Sequence, residues 1–223
     1  MHVPLLEMVA IDAELGMKDQ GPSVGIKQEI IVNLTTNLTR VGYFATREVV
    51  TFNAKVLGEH YFFIQEERTP ILVYTERGDL TLGFKVGQFV DVFGEGYAGG
   101  SVPMVDPLVI KLYGAGALPK PIKNPLLLPN RGLVEGRWVE LEGIVQSVGH
   151  AGELRLMTIG GNVLVLGALP PPNTERLVDA FVCVRGVLTW EITNGPVLLL
   201  PSPVFLNVVE EAPVDRGLSL CKL

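Results

Sequence analysis

Short segments in which apolar and polar residues alternate recur along this chain and predict β-strands. Val50 to Val56 and Val139 to Val145 follow this pattern, and Val, Leu, Ile and Phe fill most of the apolar positions. Such residues suit a pleated, half-buried surface. The 25 Gly and 16 Pro are spread along the chain and leave little room for long helices. The pattern therefore predicts an all-β fold.

The strand pattern occurs twice, which indicates an internal repeat. The segment from Val50 to Val56 has its counterpart in Val139 to Val145, and Phe89 to Gly94 has its counterpart in Phe181 to Gly186. Each set of segments then ends in a late apolar run. We interpret this as a tandem duplication of one supersecondary unit.

Each unit is predicted to contain five short strands separated by turn signals such as Gly160-Gly161. A helical turn or an irregular loop is expected between the third and fourth strands, at residues 76–85 and 170–177. Three strands, a plug and two further strands are the order of a five-stranded Greek-key barrel of the OB type. The predicted strands lie near 48–56, 60–65, 70–75, 87–94 and 107–113, and near 137–148, 153–159, 162–167, 180–190 and 196–208.

The predicted fold class is thus all-β, with two tandem five-stranded OB-like Greek-key barrels after a short N-terminal extension. An added strand is expected near residues 29–34 of that extension. A segment rich in Pro and Gly joins the two barrels. The predicted parts are an extension over 1–44, the first barrel over 45–118, a linker over 119–133, the second barrel over 134–211 and a tail over 212–223.

The charge of the chain argues against a general nucleic-acid binder. Its formal net charge is −6 and its pI is about 5.1, whereas binding to phosphates needs a basic surface. At 48% hydrophobic and 19% charged residues, the composition is that of a globular protein.

No motif in the sequence predicts catalysis, a metal or a cofactor. The three histidines and two cysteines lack the spacing of metal ligands, and there is no Gly-x-Ser-x-Gly element for a nucleophile. The stretch Gly94 to Gly99 matches the glycine pattern of dinucleotide sites, but the residues after it do not open the helix that such a site needs. We therefore expect a non-enzyme without cofactor or metal.

A binding surface on an OB barrel needs aromatic and cationic side chains on its exposed strands and loops. The alternative for each aromatic residue is a place in the core or between the barrels. The candidate ligand-binding residues are Tyr61, Phe63, Arg68, Tyr74, Tyr97, Arg155 and Trp190.

Three segments resemble a bacterial family, the tandem OB-like region that lies N-terminal to sensor histidine kinases and two-component regulators. They are Trp138 to Val145, Tyr61 to Glu66 and Val86 to Gly94, and the similarity covers roughly residues 45 to 210. The resemblance implies a sensory or protein-interaction role. It supplies no catalytic residues.

Two functions stay open at this point. The first is a non-catalytic binding or interaction module, sensory or scaffolding in a bacterial signalling assembly, with a protein or small-ligand partner. The alternative is a single-stranded nucleic-acid-binding OB-fold protein. No segment reads as a signal peptide or reaches the ~18 apolar residues of a membrane span. Taken as written, the chain is expected in the cytoplasm, or outside it if it is a fragment of a sensor.

Overall fold

The computed structural model describes the chain in segments that together cover most of both predicted barrels. Within those segments all regular structure is β-strand or short 3-10 helix. No helix among these residues is long and apolar enough to cross a bilayer. The described residues are 29–30, 41–56, 58–66, 69–74, 83–97, 101–167, 171, 174–191 and 195–212.

The first barrel is built from long strands, and a two-residue strand from the N-terminal extension is added to it. That added strand, Glu29–Ile30, pairs antiparallel with the strand that starts at Val41. It coincides with the start of the strand predicted near 29–34, and residues 31–34 lie outside the described segments. The strands are β1 Glu29–Ile30, β2 Val41–Val56, β3 Glu59–Glu66, β4 Thr69–Val73, β5 Gln88–Tyr97 and β6 Met104–Ala115.

The second barrel follows a linker that itself contains a short strand and two 3-10 turns. These turns are Pro125–Leu127 and Arg131–Leu133, and two more lie at Thr174–Leu177 and Pro203–Phe205. The strands are β7 Ile122–Lys123, β8 Trp138–Val148, β9 Leu154–Thr158, β10 Gly161–Gly167, β11 Phe181–Glu191, β12 Gly195–Leu200 and β13 Leu206–Glu210.

Both barrels close in the same strand order. In the first, β2, β3 and β4 form an antiparallel meander, β4 runs parallel to β6, and β5 lies between β6 and β2. In the second, β8, β9 and β10 form the meander, β10 runs parallel to β12, and β11 closes onto β8. This order is that of the OB-type Greek-key barrel. The predicted fold class is therefore confirmed.

Two predicted strands are wrong in their extent. The strand predicted near 48–56 starts at Val41, inside the predicted extension, and pairs there with β5. The strand expected near 196–208 is interrupted, and its two parts are β12 and β13. Pro201 and Pro203 lie within the interruption. Proline has no N–H for a ladder hydrogen bond, and the chain instead makes a 3-10 turn over Pro203–Phe205.

The internal repeat is visible in one matching hydrogen bond. The amide of Gly87 donates to the carbonyl of Val50, and the amide of Asp179 donates to the carbonyl of Val145, both at 2.8 Å. Gly87 and Asp179 both have positive φ, at 84° and 66°. Val50 thus corresponds to Val145, and not to Val139 as the sequence comparison predicted. A shift by six residues keeps the two-residue alternation, so the sequence pattern could not detect it.

Each barrel has its own apolar core, filled from alternate positions of its strands. Val50, Ile64 and Val92 are fully buried in the first barrel. The predicted plug is present as well. Leu177, from the turn Thr174–Leu177, is buried in the core of the second barrel. In the first barrel Phe84 stacks on Phe62 with 5.8 Å between ring centroids, and residues 75–82 lie outside the described segments.

A third buried cluster joins the two barrels. Phe52 and Phe63, from the outer face of β2 and β3, pack with Trp138, Leu166 and Leu199 of the second barrel. Burial of large aromatic and aliphatic side chains in such a layer stabilises the contact. The tandem barrels are therefore held in one arrangement by apolar packing between them.

One hydrogen bond crosses this apolar layer. The backbone amide of Trp138 donates to Oε1 of Gln65 at 2.7 Å, and Gln65 is itself buried. Because an unpaired amide in an apolar layer is costly, this bond favours one register of the barrels over others.

A carboxylate lies in the first barrel with no hydrogen-bond partner among the described residues. Glu48 of β2 is 1% exposed, and neither of its carboxylate oxygens is bonded. Burial, the largest cause, and the nearby charges of Glu66 and Asp91 together raise the pKa of Glu48 to about 8. The folded protein therefore favours the neutral acid.

We expect Glu48 to make the stability of the protein depend on pH. In the unfolded chain Glu48 releases its proton near pH 4.5, but in the folded chain only near pH 8. The unfolding free energy should therefore fall between pH 4.5 and 8, by an amount on the order of several kcal/mol. Glu48→Gln should remove most of this fall, and urea denaturation at pH 5 and pH 8 measures it.

Glu142→Gln is the matched control, because Glu142 is an exposed carboxylate on β8. It should leave the pH dependence of the wild type unchanged. If the unfolding free energy of wild type and Glu48→Gln depended equally on pH, Glu48 would not be the group responsible.

Gly87, just before β5, and Asp179, before β11, occupy equivalent positions in the two barrels. We expect them to respond differently to substitution. Gly87→Ala should cost about 1 kcal/mol or more, because a Cβ is strained at positive φ. Asp179→Gly should change stability by less than about 1 kcal/mol, since Asp tolerates this conformation. Chemical denaturation measures both. An unchanged denaturation midpoint for Gly87→Ala would show that the positive φ at Gly87 does not contribute to stability.

Candidate binding cleft

Two of the predicted aromatic residues, Tyr61 and Phe63, lie in the packing between the barrels. Phe63 is 3% exposed and belongs to the cluster that joins the barrels, and Tyr61 packs against the same cluster. The outer face of β3 is therefore used by the protein itself. In this arrangement the ring of Phe63 is not accessible for stacking on a ligand.

Three further candidates belong to the first barrel. Tyr74 follows β4 and is 47% exposed. Tyr97 is the last residue of β5, and its side chain is not among those described. Arg68 lies outside the described residues. A role for these residues in ligand binding stays a prediction.

Arg155 is exposed on β9 and lines a cleft of about 170 Å³ on the second barrel. Glu153 and Ser147 line the same cleft, together with Leu164. Glu153 accepts a hydrogen bond from the amide of Ala151 at 3.0 Å. A carboxylate held beside Arg155 repels phosphate, so this cleft is a poor anion site.

Trp190 lines a second and larger cleft on the same barrel. The cleft has a volume of about 310 Å³, and half-buried Trp190 also packs against the barrel core. Trp190 and Arg155 line separate clefts. We call this larger space the Trp190 cleft. Its described lining residues are Pro125, Leu126, Leu128, Pro129, Val134, Gly160, Gly161, Asn162, Trp190 and Pro196.

The walls of the Trp190 cleft are set by a close contact between the linker and a hairpin turn. A Cβ built at Gly160 would lie 2.4 Å from Cβ of Leu126, so only glycine lets the turn between β9 and β10 approach the linker this closely. Thr158 holds the turn. Its Oγ1 donates to the carbonyl of Gly161 at 2.7 Å and accepts from the amide of Gly160 at 3.2 Å.

The residues that line the Trp190 cleft are uncharged, and they present polar as well as apolar surface to it. None of its described lining residues carries a charge, and the side-chain amide of Asn162 offers both a donor and an acceptor. Three large aliphatic side chains, each next in sequence to a residue that lines the cleft, are exposed. They are Leu127 at 55%, Leu133 at 53% and Ile159 at 80% exposure. Exposed apolar groups around a cleft of this kind mark an interaction site.

Sequence reasoning selected Trp190 but missed the linker that faces it. The sequence signal is the run Pro125-Leu126-Leu127-Leu128-Pro129, which is unusually aliphatic for a linker. We interpreted residues 119–133 only as a spacer. Its prolines and leucines instead form one wall of the cleft.

A cluster of charged groups on β7, β8 and β11 neutralises its own charges. Glu140 is 5% exposed and contacts Lys123 Nζ at 3.0 Å and Arg185 Nε at 2.7 Å. The hydrogen bond from Lys123 and that from Arg185 lower the pKa of Glu140, although burial opposes them. The alternation of Glu140 and Glu142 on one strand predicts a solvated face. This prediction is wrong for Glu140, because its two cationic partners allow its burial.

Glu140, Glu142 and Cys183 bring ligand atoms within 4.8 Å of one another, yet their chemistry is not that of a metal site. Both oxygens of Glu140 already contact cations. Burial and the neighbouring carboxylates raise the pKa of the Cys183 thiol, which favours the protonated form over the thiolate that binds metals.

Comparison with known proteins identifies neither a family nor a curated relative. No family model matches the chain, and no curated protein matches it. Solved structures with a similar arrangement include a murine DNA-binding protein bound to double-stranded DNA and the tetrameric p202 HIN2. Each is 12% identical with a TM-score of 0.35. The first match covers 76% of this chain and 98% of that one, and the second covers 83% and 100%.

The single-stranded DNA binding protein from Thermus aquaticus is similar over 87% of this chain and 92% of its own, at 12% identity and a TM-score of 0.26. No residue role carries over from these proteins.

Proposed function

We propose that this chain is a non-catalytic interaction module that binds an uncharged, apolar segment of a partner protein in the Trp190 cleft. The observation that carries the proposal is the cleft itself. Trp190, three prolines and aliphatic residues line it, and no described lining residue is charged. Interfaces between proteins place aromatic and apolar groups at their centre and few charges there.

The energetics of such a cleft suit a short extended segment. Trp190 offers a large, partly fixed ring, and buried tryptophans are frequent among the residues that dominate binding. The amide of Asn162 can bond to the backbone of the bound segment, which an apolar wall alone cannot do. The prolines and the packed turn keep the walls in place, so little conformational entropy is lost on binding.

The assembly in which the module acts follows from the sequence resemblance alone. We propose a sensory or scaffolding place in a bacterial signalling assembly. The Trp190 cleft supports this only in that it offers a surface for a protein partner.

Single-stranded nucleic acid is the second candidate ligand, and Trp190 is the observation that favours it. An accessible aromatic ring on an OB barrel can stack on a base. The charge distribution opposes it, because the described cleft residues lack cations and the chain carries −6 overall. Arg155, the cationic candidate of this barrel, lies in the other cleft beside Glu153.

Intrinsic fluorescence can distinguish these ligands. The chain has two tryptophans, and Trp138 is buried between the barrels, so a ligand in the cleft should change mainly the emission of Trp190. We expect a capped peptide rich in proline and leucine to shift that emission saturably. Trp190→Ala, followed by calorimetry, should weaken binding about 30-fold, as expected for a residue worth about 2 kcal/mol.

A charge placed in the cleft provides a second test. Leu128→Lys should weaken binding of the peptide, because the apolar wall would acquire an ammonium group. The same variant should strengthen binding of a dT oligonucleotide if nucleic acid were the ligand. Val204→Lys, which adds the same charge at a position that is 79% exposed and outside the cleft lining, is the control and should leave peptide binding unchanged. Salt-dependent oligonucleotide binding that Trp190→Ala abolishes would overturn the proposal in favour of nucleic acid.

A further inference from the structure

The first barrel leaves one long strand edge without a strand partner among the described residues. β6 pairs with β5 along its length but with β4 only at Met104 and Val105. We call the outer side of residues 106–115 the β6 edge. A strand edge of this kind presents backbone N–H and C=O groups in the geometry that another strand can pair with.

The surface around the β6 edge is apolar as well as open. Large apolar side chains of β6 and of its neighbour β5 lie exposed there, although such residues are usually buried. Phe93 and Val109 lie opposite each other in the ladder, and exposed apolar groups of this kind mark an interaction site. The exposed residues are Phe93, Leu108, Val109, Leu112 and Tyr113, between 44% and 64% exposed.

The second barrel shows that the fold does not require such an edge. Its corresponding strand is broken by the turn Pro203–Phe205, and the remaining part, β13, has only five residues. Phe205 of that turn packs edge-to-face on Trp138, with 5.2 Å between centroids. The open edge is therefore five residues long at β13 in the second barrel and about twice as long at β6 in the first.

The charge at the β6 edge restricts the partner. Lys111 is exposed, lies opposite Asp91 in the ladder, and places its ammonium 5.1 Å from the ring centroid of Tyr113. Asp91 already accepts a hydrogen bond from the amide of Arg47 at 2.7 Å. A second copy of this chain would be a poor partner, since symmetric antiparallel pairing about Lys111 brings two ammonium groups together.

We infer that the β6 edge binds an extended segment of a partner protein as an added strand, with apolar side chains on its outer face and a carboxylate opposite Lys111. Backbone hydrogen bonds would supply affinity, and the side chains would supply specificity. The apolar residues of the partner strand would cover Val109 and Tyr113. This surface belongs to the first barrel, so it is separate from the Trp190 cleft and does not rest on it.

Hydrogen exchange on the full chain tests the inference. The probe is a short capped peptide of alternating valine and threonine with one glutamate among the valines. We expect it to slow exchange, on the order of tenfold, of those amides in residues 108–115 that point away from β5, because these amides would enter a ladder. The same peptide with lysine in place of glutamate should give much less protection.

Reversal of the charge on the protein gives the decisive comparison. Lys111→Glu should invert the preference, so that the lysine peptide protects the edge better than the glutamate peptide. Lys120→Glu makes the same change at an exposed linker position and should leave the preference unchanged. Absence of protection by both peptides, or a preference that Lys111→Glu does not alter, would overturn the inference. Trp190→Ala should have no effect on this assay.

Discussion

The apolar layer between the two barrels is the contact on which the rest of the structure depends. Phe52, Phe63 and Trp138 are buried in it, and the Trp138 amide bonds to Gln65 across it. This layer covers the outer faces of β2 and β3, and β3, as the second strand of the barrel, belongs to the face that an isolated OB barrel can offer to a ligand. Packing and ligand binding compete for the same aromatic residues, and here packing uses them. The accessible surfaces are therefore those that the layer leaves open.

Two such surfaces differ in the kind of recognition that they permit. The Trp190 cleft is a concave site of fixed walls, formed where the linker and a glycine turn meet. The β6 edge is a line of backbone groups flanked by apolar side chains. The first suits side chains of a ligand and the second suits its backbone. We propose protein partners for both, because the described residues of the cleft are uncharged and the β6 edge offers backbone groups flanked by apolar side chains.

The strands were predictable because each lies half-buried, with one face on a core. Alternation with a period of two is then enforced along the chain, and glycine turns mark where it stops. The same reasoning failed where a local exception decides the outcome. The turn at Pro203–Phe205 breaks a strand that the apolar pattern predicts as continuous. The first strands of the two units were aligned six residues out of place, since any even shift preserves alternation, whereas the pairing of Phe89 with Phe181 agrees with that of Gly87 and Asp179. Glu140 was expected to be solvated, because its partners Lys123 and Arg185 are distant in sequence.

The sequence alone determined the all-β class, the two barrels and their strand order, because these depend on local periodicity and on turn residues. The sequence also selected Tyr61, Phe63 and Trp190 as aromatic candidates without separating their roles. Only the tertiary structure decided that Phe63 lies between the barrels and that Trp190 lines a cleft with the linker. The physical reason is that exposure of an aromatic residue depends on which distant surface covers it. Alternation along a strand identifies a face, but it does not identify what packs against that face.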